Sequence, residues 1–399
     1  MNKAFRFDRM ELAGSMGDLG TLLPLAIGMI LINGLDPVGV LMGVGLAYIL
    51  SGYYFRITCP VEPMKVIGAY AIATGVTAAQ IQASSLLVFI SMLIIGGSGV
   101  ISLLGRYIPK PVIRGVQLST GILLISQGVR LMLGTSVIQR LEGLAEPYLA
   151  FQKLGALPVG VMLGGILVIL TLFLLDNRNV PAALAAVGTG IIIGLLLGTK
   201  EGLDHLRPGI YIPRIFPYGL PSGKDLSFAL LMMIMPQIPL TLGNAVIATS
   251  DLSNHYFNER ANKMTYRGLC LSIASINLVS FLVGGMPMCH GSGGLASRYR
   301  FGARTGGSNM MIGLIFLALA IFLGPHSLAL IYLIPLSVLG VLLLFAGSQL
   351  ALTVIDMKER KDLFVPLLMV GVTLASNLAV GFVGGIVISF LLKSDKFQI

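Results

Sequence analysis

Charge and cysteine are both scarce in this sequence. Charged residues make up 11% of the 399 residues, against about 25% in soluble domains. The three cysteines, Cys59, Cys270 and Cys289, lie in apolar segments and provide no disulfide framework. By contrast, 55% of the residues are hydrophobic and the mean hydropathy is +0.90, which is more apolar surface than a soluble fold of this length could bury. The composition therefore predicts an all-α integral membrane protein.

Several functional classes lack the residues that they require. There is no Gly-Lys-Ser/Thr phosphate loop, so we expect no ATP hydrolysis. Cys289 and His290 have no further Cys or His at ligand spacing, so neither a metal nor another cofactor is expected. No constellation of paired acids or of Ser and His indicates a hydrolase, so we expect a protein that is not an enzyme. The net charge of +10 is interpreted as basic cytoplasmic loops, and not as a nucleic-acid surface.

Apolar runs long enough to cross a bilayer recur along the whole chain. A transmembrane helix needs roughly 20 mostly apolar residues, and the sequence predicts about 14 segments, some of them short or broken. The predicted bounds are 11–33, 38–55, 60–76, 81–104, 111–133, 157–175, 180–198, 226–250, 267–284, 287–300, 307–323, 327–351, 363–375 and 377–392. We expect neither a cleavable signal peptide before the first segment nor a soluble regulatory domain after the last.

Basic residues are distributed unequally between the two sides of these segments. With the N-terminus inside, 19 of the 27 lysines and arginines lie inside and 7 lie outside, while Lys65 falls one turn inside segment three. The inside set includes Arg298, Arg300 and Arg304, in a loop that ends segment ten. This asymmetry follows the positive-inside rule and supports an even number of spans. The prediction is a multi-pass protein of the cell (inner) membrane with cytoplasmic N- and C-termini.

Two short patterns recur in corresponding places of the two halves. The run 23–28 in segment one resembles 238–243 in segment eight, and segments three and ten are both short and open on proline. Because seven segments per half is an odd number, the second half must cross the membrane in the opposite direction, and paired interrupted segments of this kind point to a transporter site. The alternative is coincidence in an apolar chain. The predicted seven-plus-seven inverted repeat forms a single membrane transport domain, 1–399, with repeats 11–198 and 226–392.

Segments three and ten have the pattern of half-helices that begin inside the membrane. Each follows a short extended stretch, 56–59 or 282–285, and proline suits a first helical turn. A helix that begins at mid-membrane depth leaves free N–H groups and partial positive charge at its N-terminus. Two such ends that face each other would form an anion site, and the glycines from Gly291 onward would let backbone amides approach the ligand. The alternative is helix packing, which also favours small residues.

Polar side chains at membrane depth are the candidates for contact with the anion. Lys65 would supply a point charge or form a neutral pair with Glu62, three residues earlier. Glu62 would repel an anion unless it is protonated, so Glu62 and Asp18 are candidates for proton coupling; for Asp18 the alternative is a cap at a broken helix. The predicted substrate-binding residues are Thr21, Pro63, Lys65, Gln237, His290, Gly291, Ser292 and Gly293.

Blocks of sequence around these candidates resemble the signature of a known family. The blocks 17–24, 60–65, 236–241, 287–296 and 299–307 look like those of the molybdate transporter family, which is related to the sulfate permeases. This resemblance runs from segment one to segment eleven, and it implies a core domain that moves against a gate domain, with molybdate or sulfate as substrate. The chain departs from the family pattern at Glu62, where we expect Gln, and this departure changes the charge of the site or the coupling ion.

The predicted function is secondary active, proton-coupled uptake of a tetrahedral oxyanion, either molybdate or sulfate. A nucleobase permease of the same fold class would carry acidic residues in segment eight, which has none. An anion channel remains an alternative. The expected partners are the oxyanion, protons and the lipid bilayer, without nucleic acid, and a homodimer is left open.

Overall fold

The few polar residues between the apolar runs mark where helices begin. Asp8, Asp36, Thr77, Thr265 and Asn377 each accept a hydrogen bond from a backbone amide in the first turn of the helix that follows. Such caps satisfy N–H groups that have no partner inside the helix. The computed structural model describes residues 5–99, 101, 109–154, 157–175, 177, 182–198 and 206–392.

The first half of the described chain contains nine helices and three short strands. They are α1 Arg9–Ser15, α2 Leu19–Asn33, α3 Pro37–Phe55, β1 Glu62–Pro63, α4 Lys65–Thr74, α5 Ala78–Ser98, α6 Lys110–Met132, α7 Val137–Glu142, β2 Lys153–Leu154, β3 Leu157–Pro158, α8 Val159–Leu174 and α9 Ala182–Leu197.

The second half begins with a helical run that is interrupted by two π-helical stretches, Ala229–Ile234 and Thr241–Ala248. Three 3₁₀ turns, Asn258–Ala261, Gly324–His326 and Leu352–Asp356, extend or join its helices. The remaining elements are α10 Gly223–Phe228, α11 Met235–Leu240, α12 Thr249–Phe257, α13 Tyr266–Val283, β4 Met288–Cys289, α14 Ser292–Arg300, α15 Gly306–Phe322, α16 Ser327–Tyr332, α17 Leu336–Ala351, α18 Arg360–Ala375 and α19 Leu378–Leu391.

Long apolar helices dominate the described part of the chain. Six helical runs are long and apolar enough to cross a membrane, and the number rises to eight if each of two bent pairs counts as one span. One bent pair is α1 with α2, which meet at 46°, so the predicted segment 11–33 is broken. Four further apolar helices, α4, α8, α9 and α19, are shorter. The protein is therefore an all-helical, multi-pass membrane protein, while the total of fourteen segments stays a prediction.

Helices from the two halves pack together through glycines spaced seven residues apart. Gly45 of α3 meets Gly313 of α15, and a Cβ on either residue would lie about 3 Å from the carbonyl oxygen of the other. Gly121 of α6 and Gly347 of α17 face each other in the same way. Seven residues along each helix, Gly128 and Gly340 form a second contact of this kind. Small residues of this kind let membrane helices approach closely. Two helix groups result: a first helix group of α1–α5 with α10–α15, and a second helix group of α6, α8, α9 and α17–α19.

The proline-containing starts of segments three and ten differ from the prediction. Glu62 pairs with Cys289 and Pro63 with Met288, so β1 and β4 form a two-residue antiparallel ladder. The prolines therefore lie in extended chain before each half-helix and not in its first turn, because β-pairing holds the backbone extended up to Met64 and Gly291. Lys65 is the first residue of α4, whereas the sequence had placed it one turn inside the helix. The predicted extended stretch 282–285 is also wrong in part, since α13 continues to Val283.

Some predicted features lie outside the described residues. They are residues 100 and 102–104 of segment four, 180–181 of segment seven, and the basic residues Lys3, Arg106, Arg178, Lys200, Lys393 and Lys396.

Candidate functional site

The β1–β4 ladder places the N-termini of two half-helices side by side. Helix α4 begins at Lys65, two residues after β1, and helix α14 begins at Ser292, three residues after β4. Both are short, with ten and nine residues, and both follow fully buried chain, 57–64 and 283–291, so both begin within the protein's interior. Gly293, the second residue of α14, is nevertheless exposed, and a Cβ there would meet open space. An opening therefore reaches backbone amides that have no partner inside their helix.

The N-terminus of α14 is occupied by a carboxylate of the protein itself. A Cβ on Gly291 would overlap Oε2 of Glu62, and a Cβ on Gly294 would lie 2.6 Å from Oε1. Nζ of Lys65 lies 3.2 Å from the same Oε2, with 21% of the lysine side chain and 1% of the glutamate side chain exposed. Thr21 also faces this carboxylate. The positive end of a helix and an ammonium group thus surround one negative charge, which is the arrangement that an anion requires.

The N-terminus of α4 is capped by an amide side chain. Oε1 of Gln237 accepts hydrogen bonds from the backbone amides of Val66, at 3.0 Å, and Ile67, at 3.3 Å. Nε2 of Gln237 donates to Oγ1 of Thr241 at 2.9 Å, which fixes the orientation of the amide. Gln237 is therefore placed at the predicted site, where it holds the position that a ligand oxygen would take.

Asn244 joins the site through a π-helical stretch. Oγ of Ser292 donates a 2.6 Å hydrogen bond to Oδ1 of Asn244. Asn244 lies in the stretch Thr241–Ala248, and π-helical turns re-aim side chains and are frequent at functional sites. A π-helix cannot be predicted from hydrophobic periodicity, so the sequence leaves open whether Asn244, a polar residue of segment eight, would contact the anion or bridge helices.

Both ring nitrogens of His290 contact other groups of the protein. Nδ1 lies 2.8 Å from the carbonyl oxygen of Pro60, and Nε2 lies 2.9 Å from Oγ of Ser272. A carbonyl only accepts, so Nδ1 carries the hydrogen and, in the neutral ring, Nε2 accepts from the serine. The ring is fully buried, and it joins β4 to the start of β1 and to α13. Its placement gives it the role of positioning the two half-helices.

Asp18 lies in a separate buried network behind the two helix ends. Its Oδ1 is 3.1 Å from Nη1 of Arg298, and its Oδ2 accepts from the amide of Val61 at 3.1 Å. Both charged side chains are fully buried. Arg298 was counted among the inside loop residues, and this assignment is wrong because α14 continues to Arg300 and turns Arg298 inward. Asp18 is thus held in an ion pair with Arg298 and hydrogen-bonded to the chain just before β1.

The predicted site residues fall into two sets. Six of them converge where α4 and α14 begin, whereas Asp18 and the ring of His290 lie behind that place. The six that converge are Thr21, Lys65, Gln237, Gly291, Ser292 and Gly293, with Glu62 and Pro63 on the strand that supports them. Within the described residues, no group of three His, Cys, Asp or Glu side chains has the arrangement of a metal site.

Solved structures with a similar fold include two transporters. The chain is similar to the transmembrane domain of a cyanobacterium bicarbonate transporter, BicA, with a TM-score of 0.64 and 18% identity, covering 96% of this chain and 98% of that one. It is also similar to murine Slc26a9, described as an anion transporter in the inward-facing state, with a TM-score of 0.68, 14% identity and coverage of 98% and 69%. At these identities the likeness establishes the fold alone.

The fold and the paired half-helices define an all-helical, multi-pass membrane protein. The family description "Molybdate transporter of MFS superfamily" matches residues 10–124 and 229–350. Molybdate transporter 2 of Arabidopsis thaliana is 32% identical, covering 96% of this chain and 87% of that protein. Molybdate transporter 1 of Chlamydomonas reinhardtii is 31% identical, with coverage of 94% and 90%. The chain therefore belongs to the molybdate transporter family, as its sequence blocks predicted.

Proposed function

We propose that this protein is a secondary active transporter that takes up molybdate, a tetrahedral oxyanion, together with protons. The observation that carries the proposal is the Glu62 carboxylate, which lies against the N-terminus of α14 and 3.2 Å from Lys65. The helix N-terminus and the lysine that surround this carboxylate supply the positive charge and the amide donors that an oxyanion also needs. Sulfate has the same shape and charge, and we treat it as the competing substrate.

The proposed architecture is a seven-plus-seven inverted repeat in which a core moves against a gate. In support, α3 packs on α15 and α5 packs on α13. In each of these pairs, the second segment of one predicted repeat contacts the fourth segment of the other. Helices α6 and α17, the fifth segments, pair with each other. The first helix group would be the core that carries the site, and the second helix group the gate. We propose a cell-membrane location with both termini in the cytoplasm, as the positive-inside rule predicts.

Uptake of a dianion into a cell requires a driving ion. Moving one charge through about 100 mV costs roughly 2.3 kcal/mol, so a dianion that enters a negative interior is opposed by about 4.6 kcal/mol. At about 1.4 kcal/mol per tenfold, this potential would exclude the anion by more than a thousandfold. A passive pathway would therefore release the oxyanion from the cell, and protons are the driving ion that we propose.

Glu62 is the proposed proton carrier. Apart from the Lys65 ion pair, its Oε2 has no hydrogen-bond partner of good geometry among the described residues. When Glu62 takes up a proton, Lys65 and the α14 amides lose their anionic partner and become available to the oxyanion. The bound oxyanion in turn disfavours the ionised carboxylate, so each ligand promotes binding of the other.

Uptake of molybdate into liposomes with an imposed pH gradient tests this function. We expect the native protein to accumulate molybdate when the outside is acidic, and Glu62→Gln to bind molybdate without responding to the gradient. Glu146→Gln is the matched control, because Glu146 is also fully buried but accepts hydrogen bonds from the amides of Leu336 and Ser337, away from the site.

The other outcomes separate the parts of the proposal. If the native protein ignores the gradient, proton coupling is wrong. If native protein and Glu62→Gln respond equally, the carrier is another group, and Asp18 and His290 are tested next. Step-like single-channel currents in a planar bilayer would show that the protein is an anion channel and not a carrier.

A further inference from the structure

A second cleft lies at the opposite end of α4 from Lys65. It has a volume of about 270 Å³ and is bounded by Tyr70 and Thr74 of α4, by the last two turns of α6, and by the turn between α18 and α19. At about 1.5 Å per residue, the α4 residues of the cleft, from Tyr70 to Thr74, lie roughly 8 to 14 Å along the helix axis from Lys65. Its walls come from both the first and the second helix group.

The cleft contains a cation and has no acidic residue in its lining. Arg130, in the last turn of α6, is exposed there, and the described part of the chain provides no carboxylate within ion-pair distance of it. Gln127, one turn earlier, also lines the cleft and is 6% exposed. Its amide is not among the sealed polar groups of the described residues that lack a partner. An amide that opens on a cleft can donate hydrogen bonds to an oxyanion or to water.

The backbone around the cleft also favours an anion. Helix α19 begins in its wall at Leu378, after the cap Asn377, so partial positive charge and free amides of a first turn lie there. The C-terminal end of α4 has the opposite effect, which is reduced where two carbonyl groups of its last turns accept side-chain hydrogen bonds. The carbonyl oxygen of Ala71 accepts from Nδ2 of Asn33 at 2.8 Å, and that of Tyr70 accepts from Oγ1 of Thr74 at 2.7 Å.

We propose that this cleft, lined by Gln127, Arg130 and Asn377, is a second and weaker binding site for a tetrahedral oxyanion. It gathers the anion on the membrane face opposite the N-terminus, between the two helix groups, before the anion reaches the half-helix site. This inference rests on the proposed transport of oxyanions. An exposed guanidinium with one buried amide binds more weakly than a site with a desolvated ammonium, because water screens the exposed charge.

Equilibrium binding of radiolabelled molybdate to the purified protein in neutral-lipid nanodiscs tests the second site. The native chain is expected to bind two molybdate ions, one tightly and one weakly. Arg130→Gln should weaken the second by roughly tenfold and leave the first unchanged, and Lys65→Ala should do the reverse. The matched control is Arg140→Gln, since Arg140 is an exposed cation on the neighbouring helix α7 that does not line the cleft.

A second variant and a change of nanodisc lipid provide independent tests of the cleft. Gln127→Met, which keeps the volume and removes the amide, should also weaken the second ion. The second site would be overturned if the native chain bound only one molybdate ion. It would also be overturned if a folded Arg130→Gln or Gln127→Met protein bound the weak ion with native affinity. Loss of the weak ion when the nanodisc lipid is made anionic would assign the cleft to lipid headgroups instead. If the native chain binds no molybdate at all, the proposed function itself fails.

Discussion

The guanidinium of Arg298 lies 3.1 Å from the carboxylate of Asp18, although 280 residues separate them in the sequence. The other N–H groups of Arg298 donate to Oγ1 of Thr58, to the carbonyl oxygen of Ser15, and to the side chains of Ser308 and Asn309. Five donors thus meet five acceptors, which is the full capacity of a guanidinium group. These hydrogen bonds connect α14 to the break between α1 and α2 and to the start of α15. The network therefore stabilises the position of the half-helix α14.

Replacement of Arg298 by lysine should destabilise the protein. An ammonium group has three donors and lacks the planar fork of arginine, so acceptors around Asp18 would lose their partners. Breaking a buried pair costs about 3–5 kcal/mol. Thermal unfolding of the purified protein in detergent measures the effect, and Arg267→Lys, at an exposed arginine, is the control. Equal stability of the two variants would contradict the structural role of Arg298.

Much of the fold could be predicted because it follows from local sequence. Mean hydropathy and the recurring apolar runs indicate an all-helical membrane protein, and the repeated proline motifs indicate where two helices begin inside it. The strand ladder between Glu62 and Cys289 could not be predicted, because it depends on two segments that meet only after folding. The break between α1 and α2 falls at Asp18, where a broken helix is one of the two alternatives, but the Asp18 side chain pairs with Arg298 and does not cap the helix.

The site was predicted in its location but not in its contacts. The α4 amides are capped by Gln237, 171 residues from Val66, and a partner at that distance leaves no local pattern. Arg298 was assigned to a basic loop because Arg300 and Arg304 follow it closely. The sequence does hold a signal, since Gly291, Leu295 and Arg298 are spaced as one face of a helix, and all three are buried.

A bulky residue at Gly121 should separate helices α6 and α17. A Cβ on Gly121 would lie 2.6 Å from the carbonyl oxygen of Gly347 and 2.8 Å from the amide of Ala351, and backbone atoms cannot rotate away. Overpacking costs about 1–3 kcal/mol, so Gly121→Leu should unfold at a lower temperature and yield less folded protein. Gly371→Leu is the control, because a Cβ at Gly371 would meet open space. If the two variants behave alike, the glycine contact does not hold this pair together.

The ion cluster at Asp356 should stabilise the protein over a defined pH range. Hydrogen bonds from Arg114, with a further contribution from Lys110, lower the pKa of Asp356 to about 2 from its ordinary value of 3.8. A lowered pKa means that the stabilisation is complete above about pH 4 and is lost as the pH falls through about 2. The side chain is 41% exposed, so the contribution should stay below about 1 kcal/mol.

Comparison of native protein with Asp356→Asn across this range measures that contribution. The difference in unfolding temperature should be constant from about pH 5 to 8 and shrink below about pH 4. It should also decrease in high salt, because the cluster is partly exposed. A difference that grows on acidification would show that the carboxylate is not the group responsible.

Removal of the Gln237 cap should make the protein depend on its substrate for stability. In Gln237→Met the amides of Val66 and Ile67 lose the acceptor that now caps α4, and each buried donor without a partner costs about 1–3 kcal/mol. An oxyanion at the half-helix site would supply the missing oxygen, so molybdate should raise the unfolding temperature of this variant by more than that of the native protein. Gln82→Met is the matched control, because Gln82 is equally buried and donates to the carbonyl oxygen of Phe281, a group that an anion cannot replace. Both variants should be less stable than the native protein in buffer, but only Gln237→Met should regain the loss when molybdate is added. Equal rescue of the two would mean that the anion does not bind at the start of α4, and the oxyanion site would then be confined to α14 and Lys65.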